Sequence, residues 1–248
     1  MVELLGLPYS PWTEKARWAL DARGVSYTFR VYQPLVGEPA LRSKLRRFTG
    51  PVSVPVLTTD DGQVIAGSAS IARWADARGK GPSLFPVAHE AAVVRYSELS
   101  ERALEAGRGL SLRRMLDDDE ALAEMVPRPL RRSLGRLASR LGAMGVRRTL
   151  RKYGGHRVPV EAQRQALAAA LDELRAGLRA APPATPRTLL GGLTYADIAM
   201  AQALLFVEPP AAGIKLGKAS RRAFTDPELR ASCDDLLRWR DELYQSLR

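Results

Sequence analysis

The sequence predicts an α/β domain followed by an all-α domain, and three observations carry that reading. Up to about residue 78, short runs rich in β-branched and aromatic residues alternate with runs of helical periodicity. Beyond residue 81 the apolar residues recur only at three- and four-residue steps. Between the two patterns lies Gly79-Lys80-Gly81-Pro82-Ser83, whose composition suits a linker. The domains are therefore drawn at 1–78 and 81–248.

Val2 to Leu7 reads as a short strand, after which Pro8-Tyr9 turns the chain into a helix from Pro11 to about Arg23. Serine at a helix cap accepts an orphan amide and proline suits the first helical position, so Ser10-Pro11 is a firm start, and Gly24 is a matching stop. Ser26 to Tyr32 suits a second strand and Leu41 to Phe48 a basic helix. Val54-Pro55-Val56-Leu57 reads as a strand with proline at its beginning. Asp60-Asp61-Gly62 then turns it into a partner strand, Gln63 to Ala66. Ser68 caps a helix through about Ala77. Further helices are predicted over Pro86 to Met115, Pro159 to Ala181, Tyr195 to Val207 and Asp226 to Leu247. Thr194-Tyr195-Ala196-Asp197 is a capping-box variant, in which the threonine hydroxyl and the Asp197 carboxylate would satisfy each other's orphan amides.

Composition narrows the function classes. The 248 residues contain 46% hydrophobic and 26% charged side chains, as a folded globular chain does. No run reaches the roughly 18 apolar residues of a membrane span, the nearest being Ile198 to Val207. The N-terminus lacks a basic start and a small-residue cleavage site, and Cys233 is the single cysteine, so a cytoplasmic protein without disulfides is expected. Two separated histidines, His89 and His156, give no basis for a metal site. The net charge of +11 points to an anionic partner, but it is concentrated: Met125 to Val160 holds ten Lys or Arg residues and no acid.

Four motifs in this order resemble those of glutathione transferases. Ser10-Pro11-Trp12-Thr13-Glu14-Lys15-Ala16-Arg17 looks like the start of that family's first helix, and Val54-Pro55-Val56-Leu57 resembles its strand bearing a cis-proline. Gly67-Ser68-Ala69-Ser70-Ile71 is similar to its second ligand-binding turn, and Leu193 to Ile198 to the capping box of its helical domain. The resemblance implies an α/β N-terminal thioredoxin-like domain plus an all-α C-terminal domain, interrupted by an insertion at about 117–157. It also implies glutathione as cosubstrate, a small hydrophobic electrophile as substrate, and a homodimer.

The chemistry gives each residue a reason. A cis bond at Val54-Pro55 would turn the Val54 amide and carbonyl outward to pair with the ligand's extended backbone, whereas a trans proline would be an ordinary strand start. Ser68 and the amides at its helix start suit a carboxylate, and a plain cap is compatible with that role. Gly67 departs from the family, which usually places an acidic or amide residue there to receive the ligand's amino group. Lowering a thiol pKa of about 8.5 by about two units takes roughly 2.7 kcal/mol. A helix N-terminus supplies about 0.3–1 kcal/mol and a hydrogen bond to a charged acceptor about 1.5–3 kcal/mol, so a donated hydroxyl is required, from Ser10 or else from Tyr9. Either residue can instead be structural, Ser10 a cap and Tyr9 a turn aromatic. Serine forms no mixed disulfide, which disfavours thiol-disulfide exchange and leaves transfer, or lyase or isomerase chemistry in a dedicated pathway. Arg95 and Tyr96 are candidates to meet the electrophile.

Within Pro127 to Tyr153, the residues Leu130, Leu134, Leu137, Leu141 and Met144 predict one helix with a single apolar stripe beside a row of arginines. Such a helix serves as a lid over a substrate pocket, as a peripheral contact with an anionic membrane, or as a site for another anionic partner. The membrane contact belongs also to a rival reading, a non-catalytic binding or membrane-adaptor protein of the same fold. Nucleic acid is not expected, because no aromatic platform is interleaved with the charge.

Overall fold

The N-terminal region is organised around β1 (Glu3–Gly6), an edge-to-edge partner of two other strands. After it come α1 (Pro11–Ala22), β2 (Thr28–Val31), α2 (Glu38–Leu45), β3 (Val56–Thr58), β4 (Val64–Ala66) and α3 (Ser68–Arg78). This is a computed structural model, and it describes residues 1–34 and 36–248. The sheet has the order β2-β1-β3-β4, with β1 parallel to β2 and antiparallel to β3, and β3 antiparallel to β4. Helices α1 and α3 cover one face, burying Leu4, Leu20, Leu57, Ile71 and Trp74 together, while Leu41 of α2 packs with Val52 and Val56 on the other.

Two boundaries differ from the sequence expectation. Helix α2 lies three residues earlier than predicted, because Arg46 adopts a left-handed conformation (φ 49°) and stops it. Helix α3 has Ser68 as its first helical residue rather than its cap. The cap position is Gly67, whose φ of 88° and ψ of 143° lie outside the helical region.

The chain then enters a 3-10 turn (Val87–His89) and the long helix α4 (Glu90–Leu116). It continues through α5 (Asp119–Glu124), α6 (Arg128–Leu134), α7 (Leu137–Lys152), α8 (Val160–Ala180), α9 (Tyr195–Ala203), α10 (Lys218–Phe224), α11 (Pro227–Ser232) and α12 (Asp234–Leu247). Helix α10 was not anticipated, and the predicted C-terminal helix is broken at Cys233. None of these helices is long and apolar enough to cross a membrane, among the described residues. The chain divides into two units. One comprises Met1–Ser97, Ala181–Gln202 and Leu243–Arg248, the other Glu98–Ala180 and Ala203–Glu242.

The first unit contains the capping box. The buried Asp197 carboxylate accepts from the Thr194 amide (2.9 Å), the Thr194 hydroxyl (2.8 Å) and the Leu189 amide (2.7 Å). The hydroxyl thus donates to Asp197, whereas the sequence reading had it accept an amide. The Leu189 bond additionally fastens the preceding loop to the helix.

In the second unit the basic insertion differs most from expectation. Gly135, at φ 52° and ψ −124°, separates two helices, α6 and α7, where one was predicted. The face of α7 that enters the core is Ala138, Gly142, Ala143, Val146 and Leu150, not the stripe of large residues. Leu130, Leu137 and Met144 are exposed, and Leu134 and Leu141 half-buried. The cause is close packing: a Cβ at Gly142 would fall 2.0 Å from the Leu122 carbonyl oxygen of α5, so a residue with a side chain does not fit at this point of contact.

Candidate active site

The sheet register brings the predicted site residues to one end of the N-terminal region. Leu5 of β1 stands opposite Val56, and Val56 stands opposite Ala66. Gly6 and the turn to Ser10 therefore leave the sheet where Val54-Pro55 enters it, and where Gly67-Ser68 leads into α3. The Gly67 amide donates to the Pro55 carbonyl at 3.1 Å, which ties the second of these segments to the third. Helices α1 and α3 both begin at this end, so two positive helix ends face the same region.

Each segment is fixed by local chemistry. The Val54-Pro55 peptide is cis, and Val54 lies outside the strand ladder. Among the described residues, the Val54 amide and carbonyl have no backbone partner and are left for an extended ligand. A second cis bond, Thr185-Pro186, was not foreseen. Ser68 is only 4% exposed, and its hydroxyl has no protein partner among the described residues. The first amides of α3 lack intrahelical acceptors, as at any helix start. Gly67 presents no side chain, and its dihedrals lie near a region that essentially only glycine occupies.

Ser10 caps α1, its Oγ accepting from the Thr13 amide at a long 3.5 Å while its carbonyl accepts from Glu14 at 3.0 Å. The hydroxyl proton is thereby left to donate away from the helix. Thr13 was not singled out in the sequence, yet it shapes this turn: its Oγ1 accepts from the Leu7 amide at 3.1 Å. Gly6 makes room for it, since a Cβ there would sit 2.4 Å from Thr13 Cγ2. Burial pushes the Tyr9 phenol up to about 12, so at neutral pH Tyr9 offers a protonated hydroxyl, a donor and not a base. Deeper in α1, Glu14 is buried between Arg248 (2.7 Å) and Arg17 (2.9 Å), its pKa raised because desolvation outweighs both cations. Of the two electrophile candidates, Tyr96 is buried and Arg95 is exposed, its guanidinium 4.5 Å over the Tyr96 ring.

A chain with a thioredoxin-like sheet, a cis-proline opening its third strand and a serine at the start of its third helix can be compared with known families. Residues 9–78 match the family model described as the glutathione S-transferase N-terminal domain. This segment is thus similar to glutathione S-transferase N-terminal domains. A Solanum tuberosum protein named "Probable glutathione S-transferase" is 36% identical over 87 residues, which is 34% of this chain and 37% of that protein. A Nicotiana tabacum protein of the same name is also 36% identical over 87 residues, spanning 36% of its length. The match thus spans little more than a third of either plant relative.

Beyond residues 9–78, the resemblance to solved structures extends over nearly the whole chain. A glutathione transferase from Phanerochaete chrysosporium is 18% identical with a TM-score of 0.65, covering 100% of this chain and 98% of that one. A Ceriporiopsis subvermispora glutathione S-transferase, solved in complex with glutathione, is 19% identical with a TM-score of 0.64, covering 98% and 95%. The fold of the chain is therefore that of the glutathione transferases, an α/β region followed by a helical one.

Proposed function

We propose that the protein is a glutathione-dependent transferase that activates the glutathione thiol for attack on a small hydrophobic electrophile. The observation that carries this reading is the convergence of Ser10, cis Val54-Pro55 and Ser68 at one end of the sheet. The residues fit the tripeptide by its chemistry. The unpaired Val54 backbone takes the cysteinyl backbone, the Ser68 hydroxyl and the α3 amides take a carboxylate, and the Ser10 hydroxyl donates to the thiolate. Tyr9, protonated throughout the neutral range, is a second donor of the same kind. Arg95 and Tyr96, stacked on each other, are the side chains offered to the electrophile in this reading. The protein acts as a homodimer, as is usual for the fold.

Serine at position 10 keeps the chemistry away from mixed disulfides and compatible with a dedicated lyase or isomerase step as well as with conjugation. A non-catalytic protein of the same fold is the reading that Gly67 favours, since the acidic or amide side chain usual in the family is missing there. The backbone conformation of Gly67 supplies an independent reason for glycine there, and that support weakens.

Calorimetric titration of glutathione into the purified protein tests the reading. Saturable binding is expected, weakened about tenfold or more in Ser68→Ala by loss of a hydrogen bond to a charged group. Ser10→Ala is expected to raise the thiol pKa of bound glutathione in an ultraviolet thiolate titration. Absence of binding at millimolar glutathione would remove the enzyme reading, and an unchanged titration would transfer the role of Ser10 to Tyr9 or to backbone amides.

A further inference from the structure

Helix α6 is an apolar-basic helix with no buried residue, and it precedes a helix whose large residues also face solvent. Along α7, Leu137, Arg140, Met144, Arg147 and Arg151 follow at three-, four- and seven-residue intervals and share one side, opposite the Ala138, Gly142 and Val146 side that packs inward. Leu130 on α6 is 44% exposed, Leu137 53% and Met144 66%. Single exposed apolar residues are ordinary on a globular surface, but here Leu137 and Met144 share one face of α7 with Arg140, Arg147 and Arg151.

The charge is uncompensated locally. Among the described residues, Arg128, Arg132, Arg136, Arg140, Arg147 and Arg151 form no ion pair. Of the acids at the neighbouring helix α5, Asp119 forms no ion pair among the described residues, while three others are held by other groups. Asp118 and Glu120 each lie 2.9 Å from Arg222, and Glu124 accepts from the Ser220 amide at 2.8 Å, with the charge of Arg131 of α6 near it.

We infer that the solvent face of α6 and α7 docks this protein peripherally on an anionic lipid surface, arginines against headgroups and Leu130, Leu137 and Met144 in the acyl boundary. Three arguments select that occupant. Basic and large apolar side chains on one helical face match a layer that is anionic outside and apolar just beneath. A second copy of the chain is disfavoured, since a self-complementary contact through this face would set arginine against arginine. A single-stranded nucleic acid is disfavoured because Met125 to Lys152 contains no aromatic residue on which bases could stack. The inference does not depend on the transferase reading, since no residue of the candidate active site takes part.

The test is co-sedimentation of the full chain with vesicles of phosphatidylcholine alone and of phosphatidylcholine mixed with phosphatidylglycerol, at two salt concentrations. Binding is expected only to the anionic vesicles and is expected to weaken with salt. An arginine near such a surface is worth about a fivefold change, so Arg140→Glu with Arg147→Glu should lower partitioning by at least about 25-fold. Leu130→Ser with Met144→Ser should lower it about tenfold, as loss of buried apolar area requires. All four positions face solvent, so melting temperatures should be unchanged. Should the charge-reversed pair unfold, Arg140→Gln with Arg147→Gln provides the same comparison. Binding that ignores lipid charge, or survives loss of the arginines, overturns the inference. So does tight displacement by soluble heparin with the apolar pair indifferent, which would make this face a site for a soluble polyanion.

Discussion

Gly67 shows how one residue can serve backbone and ligand at once. With φ of 88° and ψ of 143°, it turns the chain from β4 into α3 while its amide remains bonded to Pro55. A Cβ at that position would touch nothing within 4 Å, so any penalty for a side chain is conformational and not steric. Gly67→Ala is therefore expected to cost about 1–3 kcal/mol of stability, read from urea unfolding. A loss below about 0.5 kcal/mol would show that the turn relaxes freely. The sequence identified Gly67 as a departure from the family but gave no reason for it, because a dihedral angle is not written in residue identity. Ser10 and Ser68 were legible for the opposite reason: helix starts have strong local signals, and those signals coincide here with the chemistry.

At the scale of elements, local rules succeeded where one helix could be judged by itself and failed where two had to share space. The start of α1 at Pro11 and the β3-β4 hairpin follow from capping and turn residues. The insertion misled because Leu130 to Met144 repeat correctly for a helix, yet Gly135 divides them and the approach of Leu122 of α5 to Gly142 turns a different face of α7 inward. Helix α5 itself offers a pH test. The Ala121 amide, and then the Arg222 guanidinium, hold the Asp118 carboxyl below the ordinary aspartate value of about 3.9. Its contribution to stability is thus present above the unfolded pKa and lost as pH falls through the lower, folded one. Asp118→Asn keeps a good cap but cannot titrate. Its melting temperature should fall less steeply than that of the natural protein between about pH 4 and pH 2. Equal slopes would remove Asp118 from the acid response.

Across the whole molecule, contacts distant in sequence decide how the N-terminal unit is held. Trp18 Nε1 donates to the Leu247 carbonyl at 3.0 Å, and Arg248 bonds both Glu14 and Asp21 of the helix that carries Ser10. Arg248→Ala leaves the buried Glu14 with Arg17 alone and is expected to cost about 2 kcal/mol, less than for a wholly orphaned charge. Glu14→Gln in that background should restore part of the loss, and a double-mutant cycle on thermal unfolding measures the coupling. Additive effects would show the pair to be independent. By itself the sequence determined the order of strands and helices up to α3, the cap at Ser10, the turn at Gly67-Ser68 and the motifs that carry the family resemblance, since these rest on periodicity and short-range signals. Only the tertiary structure decided that Val54-Pro55 and Ser68 meet the start of α1 at one sheet end. It also decided that the large apolar residues of the insertion face outward, and that Glu14 is buried against Arg248. Register, close packing and the burial of charge depend on residues far apart in the chain, and no local pattern records them.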